Sequence, residues 1–306
     1  MILKSLITKP KYTLMRGGAR FSLIRKSVAG IRRTLGRNKA EQYERMLMSK
    51  MDNTMFPDID LNDFIENMKE NGCCFGLKLP RKIVAEIERF AETNPAYAFR
   101  SEKQGFLNKD RKKAESIIDK EILLAQYFNL QKNCDAINKI VSDPVLNWIA
   151  LKYLGCVPAY LGSVLWWTYP VTPSRDDQLK HAHFFHRDID DFKFFKFFFY
   201  ITDVDEGDGG HWLVPGSHEK PPHIKLKDYF ITRRYEDDEI KEFYNKSNVI
   251  EVYGDKGVGF AEDTLCVHKG ATPSKKPRLI LHIQFGLFDL VPENDKRDKS
   301  ELSSIC

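Results

Sequence analysis

His186 and Asp188 stand two positions apart at the head of a phenylalanine-rich segment, 181–218. In an extended strand residues i and i+2 point to the same face, so this imidazole and carboxylate project side by side, about 6–7 Å apart at their Cα atoms. Such a pair supplies two of the three ligands of a 2-His-1-carboxylate facial triad, which holds a divalent metal and leaves coordination positions open. The residue types suit Fe(II), and also Mn, Co or Zn, so they do not choose the metal. A third ligand has to be a later His on another strand, and His268, in DTLCVHKG, is placed for it. Ten residues on, Arg278 follows the turn TPSKKP, which would return the chain beside His268. A guanidinium there offers a planar fork that matches a carboxylate.

The other histidines compete with these. His181 and His183 lie on the approach to the first pair and would serve a substrate or nothing. His211 and His218 flank a V-P-G turn and read as turn or surface residues, and His223 follows in a polar stretch. His282 lies at an even offset from Arg278, so it would share its face of the strand; a core histidine is the reading taken. Lys196 and Tyr200, on the Phe-rich strand, are further candidate contacts for a cofactor. A lysine buried there needs a charged partner, which the sequence does not identify. The acidic loop 203–210 lacks the Glu that a calcium loop needs at its twelfth position, where Val214 stands. No nucleophile elbow, Walker A or dinucleotide-binding glycine motif occurs in the chain.

The ordered set H-R-D, Y-I-T-D-V-D, V-P-G-S-H, H-K-G and the later Arg, over roughly residues 159 to 288, resembles the phytanoyl-CoA dioxygenase (PhyH-like) family of Fe(II)/2-oxoglutarate-dependent oxygenases. The resemblance implies an α+β fold, a double-stranded β-helix (jelly roll, cupin-like) behind a helical N-terminal scaffold. It implies iron held by His186, Asp188 and His268, and the distal carboxylate of 2-oxoglutarate held by Arg278, with O2 as the other co-substrate. The expected reaction is hydroxylation of a C–H bond in a small-molecule or lipid-type substrate, releasing succinate and CO2. The same oxidant can end in desaturation, epimerisation or cyclisation. Halogenating relatives lack the carboxylate, so Asp188 speaks against that outcome. The alternative from another class is a non-catalytic metal-binding β-scaffold anchored by its N-terminal arm.

The elements that must position these residues divide the chain. The net charge of +5 is a property of one end: residues 1–40 hold 11 Lys or Arg and no acid, leaving 37 basic against 43 acidic residues elsewhere. A general nucleic-acid surface is therefore not indicated. In that arm Leu14, Phe21, Ile24, Val28, Ile31 and Leu35 recur at helical spacing. A basic amphipathic helix over 14–37 would lie on an anionic membrane surface or in a partner groove, or would be a transit peptide. The plainer reading packs its apolar stripe on the domain.

Residues 41–155 read as a mostly helical scaffold, with a capped helix after Asp60, a short strand at CCFGLKL and a helix opened by Pro80. Further helices are expected near 114–131, 133–142 and 144–154, with 100–113 as an exposed loop over the site. From Val157 short β-rich segments take over, and the jelly-roll core is assigned to 156–290 of one oxygenase domain, 41–295. FKFFFYITDV is continuously apolar, so both its faces must be covered. Residues 296–306 read as a loose polar tail. The six cysteines show no CxxC spacing and are expected as packing residues in a reduced, cytoplasmic setting, with peripheral membrane contact left open. No apolar run reaches the ~20 residues of a membrane span. Oligomeric state is not legible.

Overall fold

The computed structural model describes residues 8–180, 183–222, 233–290 and 295–306. Its helices in chain order are α1 (Pro10–Gly18), α2 (Ser22–Met48), α3 (Leu61–Asn71), α4 (Arg81–Thr93), α5 (Arg111–Ile118), α6 (Leu130–Asn133), α7 (Asp135–Val141), α8 (Pro144–Leu154), α9 (Arg175–Lys180) and α10 (Asp237–Phe243). The strands are β1 (Cys73–Lys78), β2 (Ala96–Ala98), β3 (Gly105–Phe106), β4 (Leu124–Gln126), β5 (Ala159–Thr168), β6 (Phe194–Tyr200), β7 (His211–Val214), β8 (Ile250–Val252), β9 (Val258–Glu262), β10 (Val267–Gly270) and β11 (Arg278–Gly286). They form an eight-stranded sheet, β1-β9-β6-β11-β5-β4-β2-β3, facing a three-stranded sheet, β10-β7-β8. This is the α+β jelly roll expected.

The helical side follows the cap signals. Asp60 accepts from the backbone N–H of Asn62 and Asp63 at 3.0 Å each and starts α3. Asp143 does the same for α8 while also accepting from Met55 N–H at 2.7 Å, so one carboxylate joins two segments. Gly72 ends α3 at φ 68°, and a Cβ there would stand 2.6 Å from Cys266 Sγ. Its carbonyl accepts from Asp263 N–H, so the end of α3 supports the turn that leads to His268.

Parity along the central strands decides what faces the site. On β6, Phe195, Phe197 and Phe199 join the large core under the helices, while Phe198 and Tyr200 face the second sheet. Both faces are covered, as the unbroken apolar run requires. Lys196 shares the inner row with Phe198. On β11, Leu279, Leu281, Ile283 and Phe285 belong to the same large core, so Arg278, Ile280, His282 and Gln284 point the other way.

Several local expectations are corrected. The stretch expected as one helix, 114–131, is instead α5, the buried strand β4 and a turn into α6; β4 pairs with β5 and widens the sheet. The loop expected at 100–113 contains β3 and the start of α5. Ahead of the first ligand pair, residues 175–180 form α9. The tail is not loose: Ser303 N–H donates to Glu102 O, and Ile305 N–H to Gly105 O, so it runs along β3. Five of the six free cysteines are buried, as packing residues would be.

The N-terminal helix breaks at Gly18–Phe21 into α1 and α2. The 27-residue α2 packs through Ala29, Gly36, Tyr43 and Leu47, with Tyr43 OH donating to Asn147 Oδ1 at 3.0 Å. The apolar stripe lies elsewhere: Leu14 on α1 is 67% exposed, and on α2 Ile31 is 60% and Leu35 82% exposed. The plain packing expectation is thus overturned, because Ala29, Gly36, Tyr43 and Leu47, none of them in that stripe, make the contact. No helix among the described residues is long and apolar enough to cross a membrane.

Candidate active site

Backbone pairing brings the two halves of the site together. His186 and His268 exchange both backbone hydrogen bonds, at 2.9 and 3.0 Å, and Asp188 N–H donates to Thr264 O at 2.8 Å. The turn that supplies Thr264 is itself anchored. Asp263 accepts from Leu265 N–H through Oδ1 and from Tyr153 OH, on α8, through Oδ2 at 2.6 Å.

His186, Asp188 and His268 each offer one ligand atom, and these atoms lie within 4.8 Å of one another. In both histidines Nδ1 stands 2.9 Å from a carbonyl oxygen, that of Phe184 or Cys266. A carbonyl only accepts, so Nδ1 carries the proton and Nε2 is left as a bare lone pair facing Asp188. Burial, and then the neighbouring His268, pull His186 well below the usual imidazole range, which keeps it neutral as a metal ligand must be. Asp188 Oδ2 accepts from Lys196 Nζ at 2.6 Å, and Lys196 also lies 3.5 Å from Asp190. Burial opposes the charge of both Lys196 and Asp188. Their mutual attraction prevails, so Lys196 is raised and Asp188 held low. Lys196 therefore finds the acidic partner its position requires, within the cluster itself.

Arg278 opens β11 and is 2% exposed. Its Nη2 lies 3.4 Å from Thr168 Oγ1, while Nε and Nη1 are buried without a partner among the described residues. A desolvated guanidinium with free donors is costly unless an anion meets it. It lines a cavity of about 350 Å³ that also takes in His186, Asp188 and His268.

Tyr200 is corrected: it does not line this cavity. Its OH donates to Val252 O at 2.8 Å and accepts from His211 N–H at 3.0 Å, so both its functions are spent on the backbone. His211 is corrected too, from a turn residue to part of the cavity floor. Its ring lies between Phe198 and His268, with centroids 4.8 and 5.6 Å away, and its Nε2 is 2.7 Å from Glu262 Oε2. Burial, then the Arg278 and Lys196 charges, pull His211 down to about 3, and burial pushes Glu262 up to about 8, so the pair is neutral. Nothing local in the sequence marks this pair, since its members are on different strands. His282 lines the cavity, edge-on to Trp166 and Phe198. His183 also lines it, with Nδ1 2.5 Å from Thr272 Oγ1. His218 contacts Cys266 away from it. His181 and His223 lie outside the described residues.

A jelly roll with two histidines, one carboxylate and a buried arginine in one cavity defines the class of Fe(II)- and 2-oxoglutarate-dependent oxygenases. Within that class the chain belongs to the phytanoyl-CoA dioxygenase (PhyH) family, whose sequence model matches residues 65–280. No curated protein matches the chain. Among solved structures the fold is similar to the epimerase SnoN in complex with Fe3+, alpha ketoglutarate and nogalamycin RO, at 15% identity, over 74% of this chain and 82% of that one, with TM-score 0.51. It is also similar to HygX from Streptomyces hygroscopicus with nickel, 2-oxoglutarate and hygromycin B bound, at 12% identity, over 79% and 94%, with TM-score 0.51. At these identities the likeness is one of fold.

Proposed function

We propose that the chain is a dioxygenase that couples oxidation of 2-oxoglutarate to hydroxylation of a C–H bond in a small molecule, releasing succinate and CO2. The observation that carries this is a single cavity holding the three-residue cluster and the unpaired Arg278 guanidinium. His186 and His268 would hold the metal through Nε2 and Asp188 through its carboxylate; Arg278 would receive the distal carboxylate of 2-oxoglutarate. When bound, iron and the keto acid supply the activation of O2. The protein's own residues fix the rest. The two carbonyls set the imidazole tautomers, and Lys196 orients Asp188 without itself reaching for the co-substrate. Val164, Trp166, Phe198 and Ile280 exclude water from the cavity wall.

Anaerobic addition of Fe(II) and 2-oxoglutarate should produce a visible metal-to-ligand charge-transfer band. A folded protein that gives no band would move the reading to a non-catalytic scaffold or another metal. The outcome on the substrate is read from product mass. Gain of one oxygen atom is expected, whereas an unchanged mass would indicate epimerisation, the reaction SnoN's name carries.

The proposal extends to peripheral contact with an anionic bilayer through α2. Ile24, Ile31 and Leu35 present an exposed apolar row beside exposed Arg32 and Lys39, and residues 1–40 contain no acid to oppose a negative surface. Flotation with phosphatidylserine vesicles should recover the protein. The double substitution Ile31→Asp, Leu35→Asp should cut that recovery several-fold; equal recovery would remove the membrane from the reading.

A further inference from the structure

The cavity carries more positive charge than the oxygenase reading consumes. Lys196 is paired with Asp188 and Asp190, Arg297 with Glu102, and Arg278 is assigned to 2-oxoglutarate. Arg100, Arg234 and Lys180 also line the wall, and among the described residues none of the three has an ion-pair or side-chain hydrogen-bond partner.

They reach the cavity from three separate elements. Lys180 ends α9. Arg234 lies on the segment that pairs with Phe185, next to the metal cluster, and its Nη1 is buried without a partner. Arg100 follows β2 in a turn where both Phe99 and Arg100 adopt left-handed backbone, φ 53° and 63°. Neither is glycine, so both conformations are strained, and strain of this kind concentrates at active sites and ligand clamps. Partial burial lowers the pKa of the Arg234 guanidinium from its usual value, yet arginine remains charged, while Arg100 and Lys180 line the same cavity with solvent access. The cavity's acids, Asp188 and Asp190, are both held by Lys196.

We propose that the substrate to be oxidised carries a phosphate monoester, bound by Arg100, Arg234 and Lys180. This rests on the oxygenase reading and names the substrate class for the same site. A carboxylate is satisfied by one guanidinium fork, as at Arg278; three cations arriving from three directions suit a tetrahedral dianion with three free oxygens. At about 350 Å³ the cavity is near the lower end of the about 300–1,000 Å³ range of ligand pockets and must also admit 2-oxoglutarate, so the phosphorylated substrate is compact. Trp166, Phe198 and His282 would flank its carbon skeleton.

The test is calorimetric titration of full-length protein, loaded with Zn(II) and saturating 2-oxoglutarate, with phenyl phosphate and with phenol as the uncharged control. Phenyl phosphate should bind at least about tenfold more tightly than phenol. Arg100→Gln and Arg234→Gln should each weaken it by about tenfold, the scale of a lost charge-assisted hydrogen bond, with 2-oxoglutarate affinity unchanged. Arg100→Lys, which keeps the charge, should recover part of the loss and guards against a misfolded variant. Equal binding of phosphate and phenol overturns the proposal, as does indifference to both substitutions. A parallel loss of 2-oxoglutarate affinity would also overturn it, since the cations would then serve the co-substrate. A wild type that takes up no 2-oxoglutarate at all would overturn the oxygenase reading itself, and this proposal with it.

Discussion

Asp188→Ala should abolish succinate formation, and it should do so while also weakening the fold. Loss of an outer partner of a metal ligand costs about 10–100-fold, and loss of the ligand itself should exceed that, to about 10³-fold or more. The structural cost comes from Lys196. Its Nζ is buried and stands 2.6 Å from Asp188 but 3.5 Å from Asp190, so the substitution leaves a buried ammonium with the poorer partner. Breaking a buried pair on one side costs about 3–5 kcal/mol, and the remaining Asp190 should hold the loss near the lower end. The two effects are separable. Asp188→Ala combined with Lys196→Met removes the orphaned charge, so it should regain most of the stability of the metal-free protein and none of the turnover. Urea denaturation of metal-free protein measures the first and succinate formation the second. Turnover within tenfold of wild type in Asp188→Ala would take Asp188 out of the metal site.

How far this was legible in the sequence depended on whether the signal was local. The two-residue spacing of His186 and Asp188 reads as a strand, whereas the structure gives extended backbone with His186 in an isolated bridge to His268; the alternation on β11 puts Arg278 and His282 on one face. These needed only the chain's own periodicity. The continuous apolar run of β6 announced coverage on both faces, and Lys196 within it announced a partner, though not which one. His211 and Glu262 come from β7 and β9, in different sheets, and meet only once the sheets pack. Arg100 and Arg234 reach the cavity from a turn and a connecting segment whose placement follows tertiary contacts. The arm fails for another reason. Periodicity marks a helix face but cannot say whether anything covers it, and α2 rests on Ala29, Gly36, Tyr43 and Leu47 while Ile24, Ile31 and Leu35 face outward. β4 is three residues long, too short to show a period against the helices around it.

The opposite balance governs Arg278→Ala. Here the native protein already holds a buried guanidinium with two unpartnered nitrogens, so truncation removes an uncompensated charge instead of creating one. Stability in the absence of co-substrate should therefore hold or rise, in contrast to Asp188→Ala. The loss should fall on 2-oxoglutarate. A buried, hydrogen-bonded charge pair loses about 2–5 kcal/mol on truncation, so the KM for 2-oxoglutarate should rise by about two orders of magnitude. The KM for the substrate to be oxidised should stay nearly constant. Arg278→Lys should fall between the two, because an ammonium is a point charge and cannot grip both carboxylate oxygens at once. The charge-transfer band should reappear in Arg278→Ala at high 2-oxoglutarate, since the cluster of His186, Asp188 and His268 does not depend on the arginine for its own hydrogen bonds. An equal rise in both KM values would mean that Arg278 shapes the cavity as a whole, and the co-substrate's carboxylate would then have to be assigned to another cation of the same wall.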